Sequence, residues 1–202
     1  MRLLLCVVAS GMASVASAQG PSFDCSKAKG QVPALICKDP GLAKLDRQLD
    51  GVYKAAMAKA RDKMPAQLRS EQSGWVKGRD ECWKAQGPDN PVGLTLSWMA
   101  QNVRECVEGN YKIRISELQG KWGLVTGKPV SYACANNPAN EVVATFFETD
   151  PKTVRLERGD RVVTAWMLPD GSKYEGPDVA FSVKGNDASV TWREESLQCR
   201  AR

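Results

Sequence analysis

Six cysteines downstream of an export leader, in a chain without a single histidine, restrict this sequence more than any other feature. Arg2 opens the leader, Leu3 to Val8 is its apolar run, and Ala16-Ser17-Ala18 is an A-x-A cleavage site ahead of Gln19. The run is far shorter than the ~20 apolar residues of a membrane-spanning helix. Cys6 lies within it and leaves with it, so a lipid-anchored reading fails. Residues 1–18 are therefore expected to be a signal peptide. The mature chain is expected to start near Gln19 and to be periplasmic or secreted, with no membrane anchor.

Cys25, Cys37, Cys82, Cys106, Cys134 and Cys199 remain, an even set in an exported chain, which predicts disulfides. No CxxC pair occurs, and the lack of histidine removes Ser-His-Asp triads, Cys-His dyads and His-ligated zinc together. The expectation is no metal and no cofactor.

Composition divides the chain near Lys121. Residues 19–120 hold sixteen Lys and Arg against twelve Asp and Glu and are rich in helix formers, whereas residues 121–202 hold eleven of each and turn to β-branched and aromatic residues. In the first part, Asp39-Pro40 supplies an N-cap with proline at the first helical position. Leu42, Leu45, Leu49, Val52, Tyr53, Ala56, Met57 and Ala60 then recur at helical spacing. A second helix beyond Pro65 places Leu68, Trp75, Val76, Arg79, Cys82 and Trp83 on one side. A loop at residues 87–91 precedes a third helix running from Leu96 and Met99 through Val103, Cys106, Val107, Tyr111, Ile115 and Leu118, with Gly120 as its cap. A bundle of this size has a thin core, and two disulfides would each add ~2–4 kcal/mol. Cys25, Cys37, Cys82 and Cys106 permit three pairings, among which the sequence does not choose.

In the second part, residues 141–147, 153–157, 161–167, 179–183 and 188–192 are short β-rich runs separated by Asp-Pro and Gly-centred turns. That spacing predicts an antiparallel sandwich or barrel. A bond between Cys134 and Cys199 would tie its first strand to its last and protect the edges. The fold class expected is α+β in two domains: a disulfide-stapled helical bundle over 19–120, then a small antiparallel β-barrel over 121–202.

Two family resemblances follow from particular motifs. FDCSKAKGQVPALIC, DPGLAKLDRQLDGVY, LRSEQSGWVKGRDEC and CVEGNYKIRISEL, from Phe23 to Leu118, resemble the LprI-type domain. That is a Cys-rich helical module of exported bacterial proteins whose founding member is described as a lysozyme inhibitor. From about Val130 to Cys199 the chain is similar to the membrane-bound lysozyme inhibitor of c-type lysozyme and its periplasmic relatives. Those barrels open with a YxC element, here Tyr132-Ala133-Cys134, and close with a cysteine, here Cys199. Family members insert an SGxxY loop and a YxxxTKG loop into the lysozyme cleft. Here the loops read DGSKY, Asp170 to Tyr174, and VAFSVKG, Val179 to Gly185, in register without a gap. Asp170 stands where the family has serine, Val179 where it has tyrosine, and Val183 where it has threonine.

The resemblance implies a lysozyme-binding set of Asp170, Gly171, Ser172, Tyr174, Lys184 and Gly185, with c-type lysozyme as the protein partner. A lysozyme cleft holds one neutral carboxylic acid and one ionised carboxylate. Lys184 is suited to meet the carboxylate and Tyr174 to exclude water around the contact. Phe181 is expected to face the barrel interior. From Asp170 to Asp187 four acids oppose two lysines, which favours a basic partner. The chain's net +5 opposes it and resides in the helical half.

An enzyme is disfavoured, because glycoside cleavage needs two carboxylates at a defined separation and Glu194 and Glu195 are adjacent. The alternative class is a non-catalytic envelope module binding protein or glycan through the basic helical half, including Trp75, Trp83 and Trp98. Export argues against nucleic acid as a partner, and nothing in the sequence fixes an oligomeric state.

Overall fold

The computed structural model describes residues 20–85, 100, 102–135 and 137–202. The leader, the loop at 87–91, and Leu96, Trp98 and Met99 lie outside the described residues. Two separate apolar cores form, one within the helices and one within the barrel.

The helical part comprises α1 (Gln31–Lys38), α2 (Pro40–Lys59), α3 (Met64–Asp80) and α4 (Val103–Lys121), with short 3₁₀ turns at Cys25–Lys27 and Glu81–Lys84. Asp39 caps α2 by accepting from the Leu42 N–H at 3.0 Å, and Asn102 caps α4 by accepting from Glu105 N at 3.0 Å. The α1 helix was not expected. Its Pro33 is tolerated because the first turn of a helix has no partner for that N–H in any case.

Trp83 does not face inward, and its side chain is 44% exposed. The helix gives way after Asp80 to a 3₁₀ turn of three residues per turn, which keeps Cys82 buried against Cys106 and swings Trp83 outward. The disulfides of this part are local, Cys25–Cys37 and Cys82–Cys106.

A buried polar network fixes the helices relative to one another. The Tyr111 hydroxyl donates to Asp46 at 2.7 Å and accepts from Arg79 at 2.8 Å. The Arg79 guanidinium lies 5.3 Å from the Trp75 ring centre and bonds Asp80 at 2.7 Å. Ser22 closes the set, donating to Asp46 from its N–H and its hydroxyl, both at 2.6 Å. Burial pushes the Tyr111 phenol's pKa up.

The second part is a closed eight-stranded antiparallel barrel in sequence order: β1 (Lys128–Cys134), β2 (Asn137–Phe147), β3 (Thr153–Arg158), β4 (Arg161–Met167), β5 (Tyr174–Gly176), β6 (Val179–Lys184), β7 (Asp187–Trp192) and β8 (Glu195–Ala201). β1 pairs β8, and the Cys134–Cys199 disulfide joins two residues in direct register at that seam. By loop-closure entropy over its 65-residue separation this bond is worth about 4 kcal/mol. Inward positions alternate along the strands, Val142, Ala144, Val154, Leu156, Ala165, Phe181 and Val190 being fully buried.

Phe147 and Trp166 break that alternation. Both are buried, yet neither belongs to the barrel core. They lie on the outer face, where α4 covers them: the Trp166 Nε1–H donates to Ser116 Oγ at 3.0 Å, and a methyl placed on Gly120 would sit 3.5 Å from the Phe147 ring. Lys59 of α2 donates to the Trp122 and Gly123 carbonyls at 3.0 and 2.6 Å and so holds the linker into β1. Among the described residues no helix is long and apolar enough to cross a membrane, and no group of His, Cys, Asp or Glu could hold a metal.

Candidate functional site

In an up-and-down barrel alternate connections share an end, so the β2–β3, β4–β5 and β6–β7 turns lie together. Each is short and closed by its own hydrogen bonds. In the β4–β5 turn, Gly171 N donates to the Leu168 carbonyl and Leu168 N to the Lys173 carbonyl, both at 2.9 Å. Gly171 has φ +72°, a conformation that favours glycine. Asp170 turns back on the loop and accepts from Ser172 N at 2.9 Å, and that bond holds its carboxyl below the usual aspartate range. Lys173 is drawn to Glu175 at 2.6 Å.

The β6–β7 turn is Gly185-Asn186, flanked by the paired residues Lys184 and Asp187, with Gly185 at φ +63°. The Asn186 carbonyl accepts from Ala201 N at 2.8 Å, which ties the turn to β8. Lys184 is exposed and makes no ion pair among the described residues. Val183 shares the inward parity of Val179 and Phe181, but it pairs only with Ala188 of β7, since β5 reaches no further than the Tyr174–Phe181 pair, and it is 40% exposed.

Tyr174 is different. Its ring is only 8% exposed and packs in the core at 5.9 Å from Phe146 and 6.2 Å from Phe181. Burial, and then the nearby charge of Glu148, push its phenol pKa up. Tyr174 pairs with Phe181, and Lys184 lies three residues further along β6, about 10 Å at the usual rise of a strand. The phenol and the ammonium therefore do not form a single tip: Lys184 projects, while Tyr174 supports the turn from inside.

The acidity expected of residues 170–187 is also largely compensated. Glu175, Asp178 and Asp187 face Lys173, Arg193 and Arg200 at 2.6, 3.5 and 3.9 Å, two of those cations coming from outside the segment. Among the described residues Asp170 makes no ion pair, although the charge of Lys173 adds to the lowering of its carboxyl.

Sequence reasoning missed the second wall of this end. α4 runs beside the turns and leaves a groove of about 600 Å³ between Gly109, Lys112 and Ile113 on the helix and Pro151, Leu168 and Gly171 on the barrel. Lys112 spans it, 3.1 Å from Glu108 and 3.7 Å from Asp150. A signal was present, since VVATFF and VVTAWM are apolar on both strand faces, which requires a cover outside the barrel.

Residues 25–118 match the family described as lysozyme inhibitor LprI, and residues 132–198 match the membrane-bound lysozyme-inhibitor of c-type lysozyme. The lipoprotein LprI of Mycobacterium tuberculosis strain H37Rv is 27% identical over 184 residues, covering 90% of this chain and 84% of its own length. The lipoprotein LprI of Mycobacterium bovis matches equally. An alignment of that length reaches across both domains. No solved structure matches. Two family models thus match this chain in tandem, the first over the helical part and the second over the barrel.

Proposed function

We propose that this chain is an exported, non-catalytic inhibitor of c-type lysozyme whose β4–β5 and β6–β7 turns enter the active-site cleft. Both matched families are described as lysozyme inhibitors, and the curated relatives align across both domains. The observation that carries the cleft-insertion reading is Lys184, an exposed and unpaired ammonium on a two-residue turn anchored to β8. Such a group meets the ionised carboxylate of the cleft without first breaking an ion pair of its own. Its turn is closed and tied to β8 before any partner arrives, so little ordering entropy would be lost on docking. Asp170 and Gly171 present a second closed turn beside it, and Tyr174 keeps that turn in place from the core.

Titration of the full chain into c-type lysozyme acting on cell walls tests this. Stoichiometric loss of lytic activity is expected. Lys184→Ala should weaken inhibition by about 1–3 kcal/mol, roughly 5- to 150-fold, with the thermal midpoint unchanged. Full inhibition by a Lys184→Ala, Asp170→Ala double variant would remove both turns from the contact. Turnover of peptidoglycan by the chain alone would contradict a non-catalytic role.

A further inference from the structure

β6 outruns β5, and the difference leaves an open edge in the barrel wall beside Lys184. β5 ends its pairing at Tyr174–Phe181, whereas β6 continues beside β7 to Lys184–Asp187. The two-residue turns fix which way each backbone group points. Such a turn is closed by a hydrogen-bonded pair, here Lys184–Asp187, and bonded pairs alternate along an antiparallel ladder. Ser182 and Lys184 therefore bond to β7, while Phe181 and Val183 turn their N–H and C=O toward β5. The Gly176–Val179 pair, closing the turn between β5 and β6, gives Phe181 the same direction. One step further, the ladder would offer Val183 the backbone of Ser172. The β4–β5 turn prevents this, because Ser172 N donates to Asp170 at 2.9 Å and the Lys173 carbonyl accepts from Leu168 N at 2.9 Å. Among the described residues no hydrogen bond reaches the Val183 N–H or carbonyl from that side.

We propose that this edge takes an extended backbone segment of lysozyme, the one bordering the carboxylate that Lys184 meets, as one further rung of antiparallel ladder. The inference rests on the inhibitor reading above and adds a backbone contact to it. The N–H and C=O of one residue, side by side on a strand edge, match the C=O and N–H of a facing strand residue. Val183 and Lys184 are both exposed, so the edge is open to whatever the ammonium engages. Charge decides between lysozyme and a second copy of this chain. Two copies paired about Val183 would set each Lys184 opposite Ser182, with no carboxylate across the pair, whereas a lysozyme cleft supplies one. A short edge flanked by a lysine is also a poor template for self-association.

Val183→Pro tests the edge, because it deletes the outward N–H and bars a facing strand without removing a β6–β7 bond, and proline is tolerated on strand edges. In calorimetric titration of full-length protein against c-type lysozyme, Val183→Pro should bind about tenfold more weakly than wild type. Val183→Ala, which keeps the N–H, should lose less, about threefold at most. Amide hydrogen exchange on wild type needs no variant: the Val183 N–H should exchange fast in the free protein and become protected in the complex. The edge proposal is overturned, and the inhibitor reading stands, if Val183→Pro binds as tightly as wild type or if Val183→Ala loses as much as the proline variant. The same holds if the Val183 amide exchanges equally fast in the complex, and this measurement decides should the proline variant fail to fold. Protection of Val183 in a lysozyme-free dimer seen by ultracentrifugation would assign the edge to a second copy and refute the proposal. If wild type does not bind lysozyme at all, the inhibitor reading fails and the edge proposal with it.

Discussion

Replacing Tyr174 by alanine separates a residue that touches a partner from one that holds the turn in shape. The ring is buried against Phe146 and Phe181 and lies at the first position of a three-residue strand. Truncation of a buried aromatic costs about 3–5 kcal/mol. The strand is short, and part of the space can collapse toward the open mouth, so the lower end, about 3 kcal/mol, is expected. With a urea slope near 1.5 kcal/mol per molar, the barrel's unfolding midpoint should fall by about 2 M. Tyr174→Phe keeps every ring contact. The hydroxyl bonds no described protein group and is not a buried unsatisfied atom, so it meets water and its loss should cost less than about 1 kcal/mol. Inhibition, scored per folded molecule, should then be nearly normal for Tyr174→Phe and impaired for Tyr174→Ala. The reasoning fails if the alanine variant loses less than about 0.5 M in midpoint. It fails equally if the phenylalanine variant folds normally but inhibits more than tenfold more weakly, because the hydroxyl would then be a contact group.

Two further outcomes concern the scaffold. Asp39→Ala removes the α2 cap at Leu42 and the 2.8 Å pair with Arg104, and should destabilise the helical domain by about 1–2 kcal/mol in thermal or urea melts. The Leu42 N–H holds the Asp39 carboxyl below its ordinary value of 3.8, so the difference from wild type should be constant above that pH and shrink as the pH falls through the lower folded-state value. Gly176→Ala forces a Cβ to 2.3 Å from the Thr164 carbonyl oxygen, a backbone atom that cannot move aside, and should cost about 1–3 kcal/mol or more. In the same urea melts Gly51→Ala, at an open helical position, should raise stability by up to about 1 kcal/mol.

What the sequence made legible was local chemistry. Asp39-Pro40 marked the start of α2, the apolar spacing marked the helices, and the turn residues bounded five of the eight strands. β1, β5 and β8 escaped because one begins with Lys-Pro, one has three residues and one carries polar residues on its outer face. Missing β5 mattered for the site, since pairing with Phe181 decides that Tyr174 points inward. The cysteine pairs and the Asp46–Tyr111–Arg79 network join residues 12 to 65 positions apart. No local pattern encodes which partners those groups find. Trp166 shows the same limit between domains: its outward parity announces a cover, but only the packed structure identifies that cover as α4.

The placement of charge bears on how such a protein would meet a basic target. The excess of cations lies in the helical half, sixteen against twelve, and it opposes long-range attraction. In physiological salt that opposition fades beyond ~8–10 Å. At contact, the groups nearest the turns decide, and these are the unpaired Lys184, the loosely held Asp150 and Asp170. Asp170 does as a turn cap what a serine there would do less strongly, so the substitution preserves the shape of the loop while adding a negative charge to it. On the inhibitor reading proposed above, that charge would suit a basic rim and disfavour an ionised carboxylate directly ahead, which would set Asp170 at the edge of the cleft and Lys184 toward its acids. Recognition on these terms owes little to electrostatic steering and much to two preformed turns and a rigid flank. The affinity it yields should therefore reside in slow dissociation rather than in fast encounter.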